Sequence, residues 1–302
     1  MDYLRVKEEL DRILAGESRC GESMAKHTTW RIGGPADIMV VPAGVADVEE
    51  TVRYAVERQI PLTVIGNGSN ILVRDKGIRG IVLKITRGLD KTDVNGLTIR
   101  AQAGALLPAV ARQAAEHALT GLEFAIGIPA TVGGAVVMNA GANGQSISTV
   151  IQEVKVISPE GRLVVLSGPE LGFCYRGSIF QAEQMVVVEA LFALQQEAPE
   201  AITGRMEEFM SRRKSTQPLK QPNAGSVFAN PPGTSAGRLI DEAGGKGLQV
   251  GNARVSEKHA NFIVNTGGAA AGDVLELIKK IQALVYTKHQ VELHMEVKIL
   301  GE

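Results

Sequence analysis

The chain has few cysteines, and neither sign of charge is in excess. Its 302 residues include only two cysteines, Cys20 and Cys174, and the five histidines are scattered without the spacing of metal ligands. This pattern argues against a disulfide framework and against a metal site. The formal net charge is −1 at pH 7, so no basic surface is indicated for DNA, RNA or an anionic membrane. We therefore expect no metal, no nucleic-acid partner and no membrane association.

The sequence also lacks a long uninterrupted apolar run. Residues 124–152 contain no Asp, Glu, Lys or Arg, but Gly, Pro and Asn interrupt this segment too often for a membrane span, which needs about 20 predominantly apolar residues. The first ten residues follow the pattern of an acidic amphipathic helix rather than a basic leader with an apolar run. These patterns together predict residence in the cytoplasm.

The length and composition are those of a folded protein with more than one domain. Helical and strand patterns alternate through the first two thirds of the chain, and a polar segment, residues 195–200, then precedes an amphipathic helical pattern. We predict three domains, at residues 1–95, 96–197 and 198–302. The first two would form nucleotide-cradling units, and the third would form a smaller α+β domain.

Local patterns predict several individual elements. A capping-box-like start at Asp47 begins a helix whose apolar face includes Val56, and Leu106 begins the apolar face of a later helix. Residues 154–166 contain two apolar runs around a Pro-Glu-Gly turn, which indicates a β-hairpin. Residues 291–300 are predicted to form the final strand.

Two glycine-rich segments favour a bound ligand. Residues 127–144 combine glycine, proline and asparagine with apolar side chains, and residues 66–70 have the sequence Gly-Asn-Gly-Ser-Asn. Glycine permits left-handed turns and lets main-chain N–H groups approach a ligand closely, so both segments suit a buried anionic or planar cofactor. The alternatives are a small-residue packing seam for the longer segment and a bare turn for the shorter one.

Three familiar motifs do not fit. Residues 66–70 lack the third glycine of a dinucleotide fingerprint, and a strand pattern follows them instead of a helix. Residues 240–247 lack the first glycine and the final Ser or Thr of a P-loop, which disfavours a kinase or an ATPase. Ser226, Asp241 and His259 follow the chain order of an α/β-hydrolase triad, but the Gly-x-Ser-x-Gly elbow is absent. A hydrolase is therefore a weak alternative.

Three short strings contain residues suited to catalysis. Arg176 lies in Phe-Cys-Tyr-Arg-Gly, where a cation either stacks on an aromatic ring or binds an anion. Ser226 follows a glycine in a loop, where a serine takes part in chemistry or stabilises a turn. Glu296 lies in the predicted final strand, where it is either functional or part of a solvent-exposed face. Each of the three thus has a purely structural alternative.

Taken together, these strings resemble the UDP-N-acetylenolpyruvoylglucosamine reductase family over nearly the whole chain. The ordered strings that carry the resemblance are His27–Asp37, Gly66–Asn70, Gly127–Gly134, Tyr175–Ser178, Asn223–Phe228, Lys258–Phe262 and Glu296. Because no insertion follows Tyr175, the chain resembles the shorter form of the family. The resemblance implies an α+β fold, in which a vanillyl-alcohol-oxidase-type FAD-binding domain in two subdomains precedes a C-terminal α+β substrate-binding domain.

The resemblance also implies a two-step reaction. NADPH reduces noncovalently bound FAD, and hydride then passes to carbon 3 of the enolpyruvyl group of UDP-N-acetylglucosamine enolpyruvate, which yields UDP-N-acetylmuramate for peptidoglycan. By their positions in the motifs, Arg176 and a protonated Glu296 would stabilise the enolate that forms on the substrate carboxylate. Ser226 would donate a proton to carbon 2. We expect a monomer or a weak oligomer.

Binding residues follow from the same resemblance. The cofactor-binding residues are Arg31, Ile32, Gly33, Gly34, Gly66, Asn67, Gly68, Ser69, Asn70, Thr131, Gly133 and Gly134. The substrate-binding residues are Tyr175, Asn230, Lys246 and His259. Residues 66–70 would hold the cofactor pyrophosphate through main-chain amides, with help from Thr131 and the glycines after it. Lys246 would pair with the diphosphate of UDP.

Two rival functions are compatible with the sequence. The chain could be another FAD-linked oxidoreductase of the same fold with a different substrate, in which His27 or Cys174 could carry a covalent flavin. It could also be a nucleotide-sugar-binding protein without catalysis, which would be colourless and would tolerate Ser226→Ala. A noncovalent yellow protein that bleaches with NADPH would exclude the covalent flavin.

Overall fold

The structure, a computed structural model, describes residues 2–302 and combines helices with short strands. The helices are α1 Tyr3–Ile13, α2 Val45–Glu57, α3 Leu107–Glu116, α4 Val132–Val137, α5 Ile179–Ala182, α6 Pro199–Thr216, α7 Ala236–Glu242 and α8 Ala271–His289. The strands are β1 Glu17–Ser23, β2 Pro35–Val41, β3 Leu62–Ile65, β4 Ile71–Val73, β5 Ile78–Lys84, β6 Thr92–Asn95, β7 Thr98–Gln102, β8 Leu119–Thr120, β9 Gly141–Ala142, β10 Gln145–Ser146, β11 Ile151–Ile157, β12 Leu163–Ser167, β13 Val186–Ala193, β14 Gln195–Gln196, β15 Gln249–Val250, β16 Ala253–Val255, β17 Ile263–Asn265 and β18 Lys298–Leu300. The mixed content confirms the predicted α+β class. Among residues 2–302, every helix is too short or too polar to cross a membrane.

The chain folds into two compact units, each built from separate stretches of sequence. Unit 1 comprises the residues up to Cys20, Asp37–Asn67 and Gly80–Arg212. Unit 2 comprises Gly21–Ala36, Gly68–Arg79 and Arg213–Glu302. The three-domain division into residues 1–95, 96–197 and 198–302 stays a prediction. Gln195 and Gln196, which we placed in a polar linker, form β14 and pair with β8.

Unit 1 is organised around two sheets. A four-stranded sheet has the order β1-β2-β5-β3, in which β3 and β5 are parallel, and a five-stranded sheet has the order β12-β11-β13-β7-β6 with antiparallel neighbours. The predicted hairpin is confirmed, because β11 pairs with β12 with Val156 opposite Val164. Helices α2 and α3 add Val52, Val110 and other apolar residues to one buried core.

Two expectations about unit 1 helices were wrong. Helix α2 begins at Val45, so Asp47 lies within the first turn, and its carboxylate accepts hydrogen bonds from the N–H groups of Ala15, Gly16 and Ala43. Asp47 therefore holds two loops in place instead of starting the helix. Val56 and Leu106, predicted on apolar faces, are 56% and 50% exposed, because Val56 lies on the solvent side of α2 and Leu106 precedes α3.

Unit 2 has less sheet and more loop. The antiparallel β15-β16-β17 sheet and the parallel pair of β4 with β18 are its strands, and its buried core includes residues of α7 and α8. Trp30, the single tryptophan of the chain, is fully buried in this core. Its indole N–H donates to the carbonyl of Ile263 at 2.7 Å. The residues around Trp30 are thus fixed to the core of unit 2.

The predicted strand over residues 291–300 is largely wrong. Only Lys298–Leu300 form a strand, and the segment before them makes a single bridge between Met295 and Phe228. Leu293 and Val297 are nevertheless buried. The alternation of apolar residues therefore reflects an extended segment packed on the core, and Glu296 lies in this segment rather than in a strand.

A buried carboxylate stands at the entrance to the uncharged segment of unit 1. Glu123 is 4% exposed and accepts hydrogen bonds from the Thr120 hydroxyl, the Gly121 N–H and the Arg205 guanidinium of α6. Arg205 also binds Glu197 through two nitrogens, at 2.9 and 2.6 Å. Burial by itself would raise the pKa of Glu123, but the hydrogen bonds from Thr120 and Arg205 outweigh it and hold this pKa below its ordinary value.

The variant Glu123→Gln should lose about 1–3 kcal/mol of unfolding free energy at pH 7, because a buried charge-assisted hydrogen bond is removed. The pKa of Glu123 is lower in the folded state, so its contribution is complete above the unfolded-state value near 4.5 and is lost as the pH falls below it. Urea unfolding at several pH values should show a weaker acid dependence for Glu123→Gln. The exposed Glu116→Gln is the control, and equal curves for both variants would contradict the assignment.

Candidate active site

Residues 66–70 form a tight turn whose first two residues belong to unit 1. The Asn67 side chain donates from Nδ2 to the carbonyl of Pro129 at 2.7 Å. A Cβ atom on Gly66 would lie 2.3 Å from Oγ1 of Thr131, so only glycine fits beside the segment that leads into α4. Gly66 and Asn67 are therefore packed against the glycine-rich segment of unit 1 that the sequence singled out.

The last three residues of this turn belong to unit 2. Gly68 has a φ of +68°, and a Cβ atom there would lie 2.1 Å from the carbonyl oxygen of His27. The Gly68 carbonyl accepts from the N–H of Thr29. Among the described residues 2–302, the N–H groups of Gly68, Ser69 and Asn70 donate to no protein acceptor. A turn with unpaired N–H groups is suited to an anion.

The start of α4 gives a second contact surface in unit 1. Thr131 is the N-cap residue, and its Oγ1 accepts from the N–H of Gly134. The N–H of Gly133 donates to the carbonyl of Ala103. The N–H groups of Gly133 and Gly134 are therefore already paired within the protein. Their lack of side chains would instead let a ligand approach the main chain closely. The space beside the main chain is most open at Gly134. A Cβ atom added there would lie 3.5 Å from its nearest neighbour, Oγ1 of Thr131.

The string from Arg31 to Gly34 lies in unit 2 and is largely structural. Ile32 is buried, and its main chain exchanges hydrogen bonds with the Thr28 hydroxyl. A Cβ atom on Gly33 would lie 2.8 Å from Val73 Cβ, and one on Gly34 would lie 2.1 Å from a main-chain oxygen. Arg31 is exposed and has a φ of +56°. A cofactor contact from this string stays a prediction.

Arg176 and Tyr175 lie at the tip of a tight turn in unit 1. The N–H groups of Cys174 and Gly177 each donate to the other residue's carbonyl, and Arg176 has a φ of +57°. The Arg176 guanidinium carbon is 5.2 Å from the centroid of the Tyr175 ring, and Tyr175 is 62% exposed. The stacking alternative is thus realised on a solvent-exposed ring, and Arg176 itself is half-buried.

Unit 2 brings Ser226 and Glu296 onto neighbouring segments. The N–H of Glu296 donates to the carbonyl of Val227, the residue after Ser226, at 2.8 Å. The Asn70 side chain donates to the carbonyl of Glu296 at 3.3 Å, and the Asn70 carbonyl accepts from the N–H of Lys298. Asn70, predicted as a cofactor ligand, therefore also holds the main chain around Glu296.

Two asparagines that sequence reasoning left without a role shape the Ser226 loop. Asn261 is buried, and its side chain accepts from the N–H of Phe228 at 2.9 Å and donates to the carbonyl of Phe228 at 2.8 Å. Asn223 donates to two loop carbonyls, and its Oδ1 accepts from the N–H of Gly225. Asn223 and Asn261 lie in the same short sequence strings as Ser226 and His259. Their position in these strings was the sequence feature from which a role could have been predicted.

The residues of unit 2 that were predicted to bind the substrate lie around α7. Oδ1 of Asn230 accepts from the N–H of Ala236, and Lys246 Nζ lies 2.6 Å from a carboxylate oxygen of Asp241. Burial lowers the pKa of His259, and the charge of Lys246 lowers it further, so His259 is neutral at pH 7. Nδ1 of His259 accepts from the N–H of Asn261. The hydrolase triad is not assembled, because Asp241 pairs with Lys246 instead of His259.

The chain is similar in sequence to reductases from several bacteria. A UDP-N-acetylenolpyruvoylglucosamine reductase of Desulforamulus reducens is 46% identical over 302 residues, which is 100% of both chains. The reductase of the same name from Heliobacterium modesticaldum is 47% identical over 97% of this chain and 94% of its own. The chain belongs to the UDP-N-acetylenolpyruvoylglucosamine reductase family.

Domain models and solved structures agree with membership of the reductase family. Residues 217–300 match the model of the C-terminal domain of UDP-N-acetylenolpyruvoylglucosamine reductase, and residues 36–167 match that of an FAD binding domain. The crystal structure of the Thermus caldophilus reductase has a TM-score of 0.83 and 38% identity, covering 95% of this chain and 100% of that one. A Phl p 4 variant, a glucose oxidase, shares the fold alone, with a TM-score of 0.50 and 14% identity over 66% of this chain and 45% of that one.

The residues of this reductase-family chain fit the FAD that its domain implies. The N–H groups of Gly68, Ser69 and Asn70, which have no acceptor within residues 2–302, suit a pyrophosphate. The open side of Gly134 leaves room for a flat group against main chain. Each set is suited by itself to part of FAD, and the contacts of these residues and Thr131 with the cofactor stay a prediction.

The variant Gly134→Ala should weaken FAD binding at least about tenfold, or about 1.4 kcal/mol, because a methyl group would occupy the open side of α4. The apoprotein should keep or gain stability, since alanine favours a helix over glycine by about 1 kcal/mol. FAD titration followed by flavin fluorescence measures the first effect, and thermal unfolding of the apoprotein measures the second.

Gly204→Ala is the matched control, because a Cβ atom at this other helical glycine would meet no atom within 4 Å. This control should change stability without changing FAD affinity. If Gly134→Ala also left the FAD affinity unchanged, Gly134 would not lie at the cofactor.

Proposed function

We propose that the protein reduces UDP-N-acetylglucosamine enolpyruvate to UDP-N-acetylmuramate, with NADPH as hydride donor and noncovalent FAD as cofactor. This reaction supplies the peptidoglycan precursor pathway in the cytoplasm, and through it cell shape and division. Membership of the reductase family supports the assignment. The observation that carries it is the pairing of the Ser226 loop with the segment of Glu296 in unit 2.

The protein is an FAD-containing oxidoreductase of the reductase family. Bound FAD supplies hydride transfer between the nicotinamide and the enolpyruvyl group. The protein has to bind the substrate, neutralise charge that develops on its carboxylate, and deliver one proton. Arg176, Glu296 and Ser226 are proposed for the last two tasks.

Arg176 and Glu296 are proposed to stabilise the charge that develops as carbon 3 gains hydride. Preorganised groups stabilise a developing charge more effectively than groups that must rearrange. Arg176 meets this condition because its turn fixes the main chain on both sides. Glu296 meets it because the carbonyl of Glu296 accepts from Asn70 and its N–H donates to Val227.

Ser226 is proposed to deliver the proton to carbon 2. A serine hydroxyl is a weak acid, so the transfer needs a strongly basic carbon within hydrogen-bond reach. Ser226 is half-buried, and the main chain on its C-terminal side is fixed by the hydrogen bonds of Val227 and Phe228 to Asn261. The hydroxyl is therefore carried by a rigid segment, as a positioned proton donor requires.

The UDP group is proposed to bind near α7. Lys246 is part-exposed beside Asp241, and it would exchange this carboxylate for a diphosphate oxygen. His259 is neutral at pH 7, so it would act as a hydrogen-bond partner rather than as a second cation. Asn230 and Tyr175 complete the proposed substrate-binding residues.

The covalent-flavin alternative is less well supported. The Nε2 atom of His27 lies 3.0 Å from the carboxylate of Glu22, and both side chains are largely buried. A ring nitrogen used in this way is not presented for attachment to a flavin. Cys174 is exposed, and its attachment is excluded if denatured protein releases its flavin.

The variant Ser226→Ala tests the proposed reaction. Anaerobic NADPH should bleach the flavin of the wild type, and the enolpyruvate substrate should restore its colour. Ser226→Ala should keep the bleaching rate, whereas the recovery with substrate should slow about 10²- to 10⁴-fold, the range of general acid–base catalysis. Stopped-flow absorbance measures both half-reactions separately.

The exposed Ser211→Ala is the control, since it removes a hydroxyl from the surface of α6. It should leave both half-reactions unchanged. Bleaching without recovery in the wild type would show that the substrate is a different one. A protein that takes up no FAD would contradict the proposal as a whole.

A further inference from the structure

The turn that carries Arg176 is closed by its own main chain, through the two hydrogen bonds between Cys174 and Gly177. Arg176 has a φ of +57°, which lies in the left-handed region that residues other than glycine rarely adopt. A non-glycine residue keeps such a conformation only where its surroundings enforce it. The contacts that hold this turn therefore fix the main chain from which the Arg176 side chain extends.

Side chains tie this turn to the C-terminal end of α4. Nδ2 of Asn139 donates to the carbonyl of Cys174 at 2.9 Å, and the Ser178 hydroxyl donates to the carbonyl of Val137 at 2.7 Å. Nε2 of Gln181 lies 3.0 Å from the Val137 carbonyl and 3.2 Å from the Arg176 carbonyl. The last carbonyls of a helix lack intrahelical partners, so the Val137 carbonyl is available for these bonds.

Asn139 is the most firmly held member of this set. It is 6% exposed, and its φ of +40° is one that asparagine tolerates better than most residues. Its Oδ1 accepts from the N–H of Ser148 at 3.0 Å, while Nδ2 serves the Cys174 carbonyl. Both ends of the amide are therefore engaged, and the side chain cannot turn away without leaving a buried group unpaired.

We propose that Asn139 is a positioning residue for Arg176, which it fixes relative to α4, the helix whose first turn carries the proposed FAD contacts Thr131 and Gly134. The inference rests on the proposed function for the role of Arg176. Asn139 lies two residues beyond the end of α4, so the same short helix connects the cofactor-binding end to the arginine turn.

Asn139→Asp is the informative variant, because it is nearly isosteric. The carboxylate can still accept from the Ser148 N–H, but it cannot donate to the Cys174 carbonyl. Recovery of the reduced flavin with substrate should slow roughly 10- to 100-fold, the range expected when a catalytic group is displaced by about 1 Å. Reduction by NADPH should be unchanged.

Asn143→Asp is the matched control. Asn143 lies in the same segment, has a φ of +53°, and is exposed. It makes the same chemical change four residues away, so both half-reactions should keep their wild-type rates. An equal loss in both variants would mean that added charge, and not the bond to Cys174, slows the reaction.

The thiol of Cys174 gives a readout that does not depend on activity. Cys174 is exposed in the turn, whereas Cys20 is part-buried, its thiol donates to the Tyr3 carbonyl, and burial raises its pKa. Alkylation followed by mass spectrometry should therefore report Cys174 first. Asn139→Asp should change the Cys174 alkylation rate several-fold in the apoprotein, whereas Asn143→Asp should not. Identical rates in all three proteins would overturn the proposal.

A double-mutant cycle separates this inference from the proposed function. If Asn139 acts through Arg176, Asn139→Asp should slow Arg176→Ala little further, since coupled residues are not additive. Full additivity would overturn the positioning role. If Arg176→Ala alone kept the wild-type recovery rate, the proposed role of Arg176 would fail, whatever the alkylation result.

Gln181→Glu covers the case in which Asn139→Asp does not fold. Gln181 is exposed, and the change removes its donor to the carbonyls of Val137 and Arg176 without burying a charge. A smaller change in the same direction, in both Cys174 alkylation and flavin recovery, would support the tie between the turn and α4. No change in either would overturn it.

Discussion

Side-chain amides of asparagine hold the loops on which the candidate site depends. A buried main-chain N–H or carbonyl must find a partner, and strands provide those partners in regular structure. In unit 2, Asn261 binds the main chain of Phe228 as a neighbouring strand would, and in unit 1, Asn139 binds the carbonyl of Cys174 in the same way. Asn265 similarly binds the carbonyl of Trp30 and two loop N–H groups. An asparagine can serve in this way because its side chain both donates and accepts.

Regular periodicity explains which parts of the fold could be predicted. The β11–β12 hairpin and the buried face of α8 follow from alternation and from helical spacing, because both elements bury one side against a continuous core. The false strand over residues 291–300 shows the limit of this argument. Leu293 and Val297 are buried, but Met295 between them is 45% exposed, and the segment pairs with the loop around Val227 and not with a sheet. The apolar pattern therefore predicted only part of the burial, and it did not identify the hydrogen-bond partner.

The residues of the candidate site were predicted from family motifs rather than from hydrophobic periodicity or residue spacing. The strings that contain Arg176, Ser226 and Glu296 indicated the family, and family membership is shown. The structure adds contacts that no spacing rule contains, since Asn139 and Cys174 are 35 residues apart and Asn70 and Glu296 are 226 apart. It also shows that Gly33 and Gly34 are required by packing within unit 2. A glycine in a motif is thus no proof of contact with a ligand.

The discontinuous unit 2 has a consequence for how the chain folds as it is made. Strand β4, at residues 71–73, pairs with β18, at residues 298–300, and Trp30 and Leu72 share a core with α8. Contacts between such distant residues form slowly, because a long loop must close first. The first two stretches of unit 2, Gly21–Ala36 and Gly68–Arg79, leave the ribosome long before the third stretch, which contains their partners, has been synthesised. Unit 2 can therefore be completed only after residues 298–300 have been made, whereas all of unit 1 has been made by residue 212.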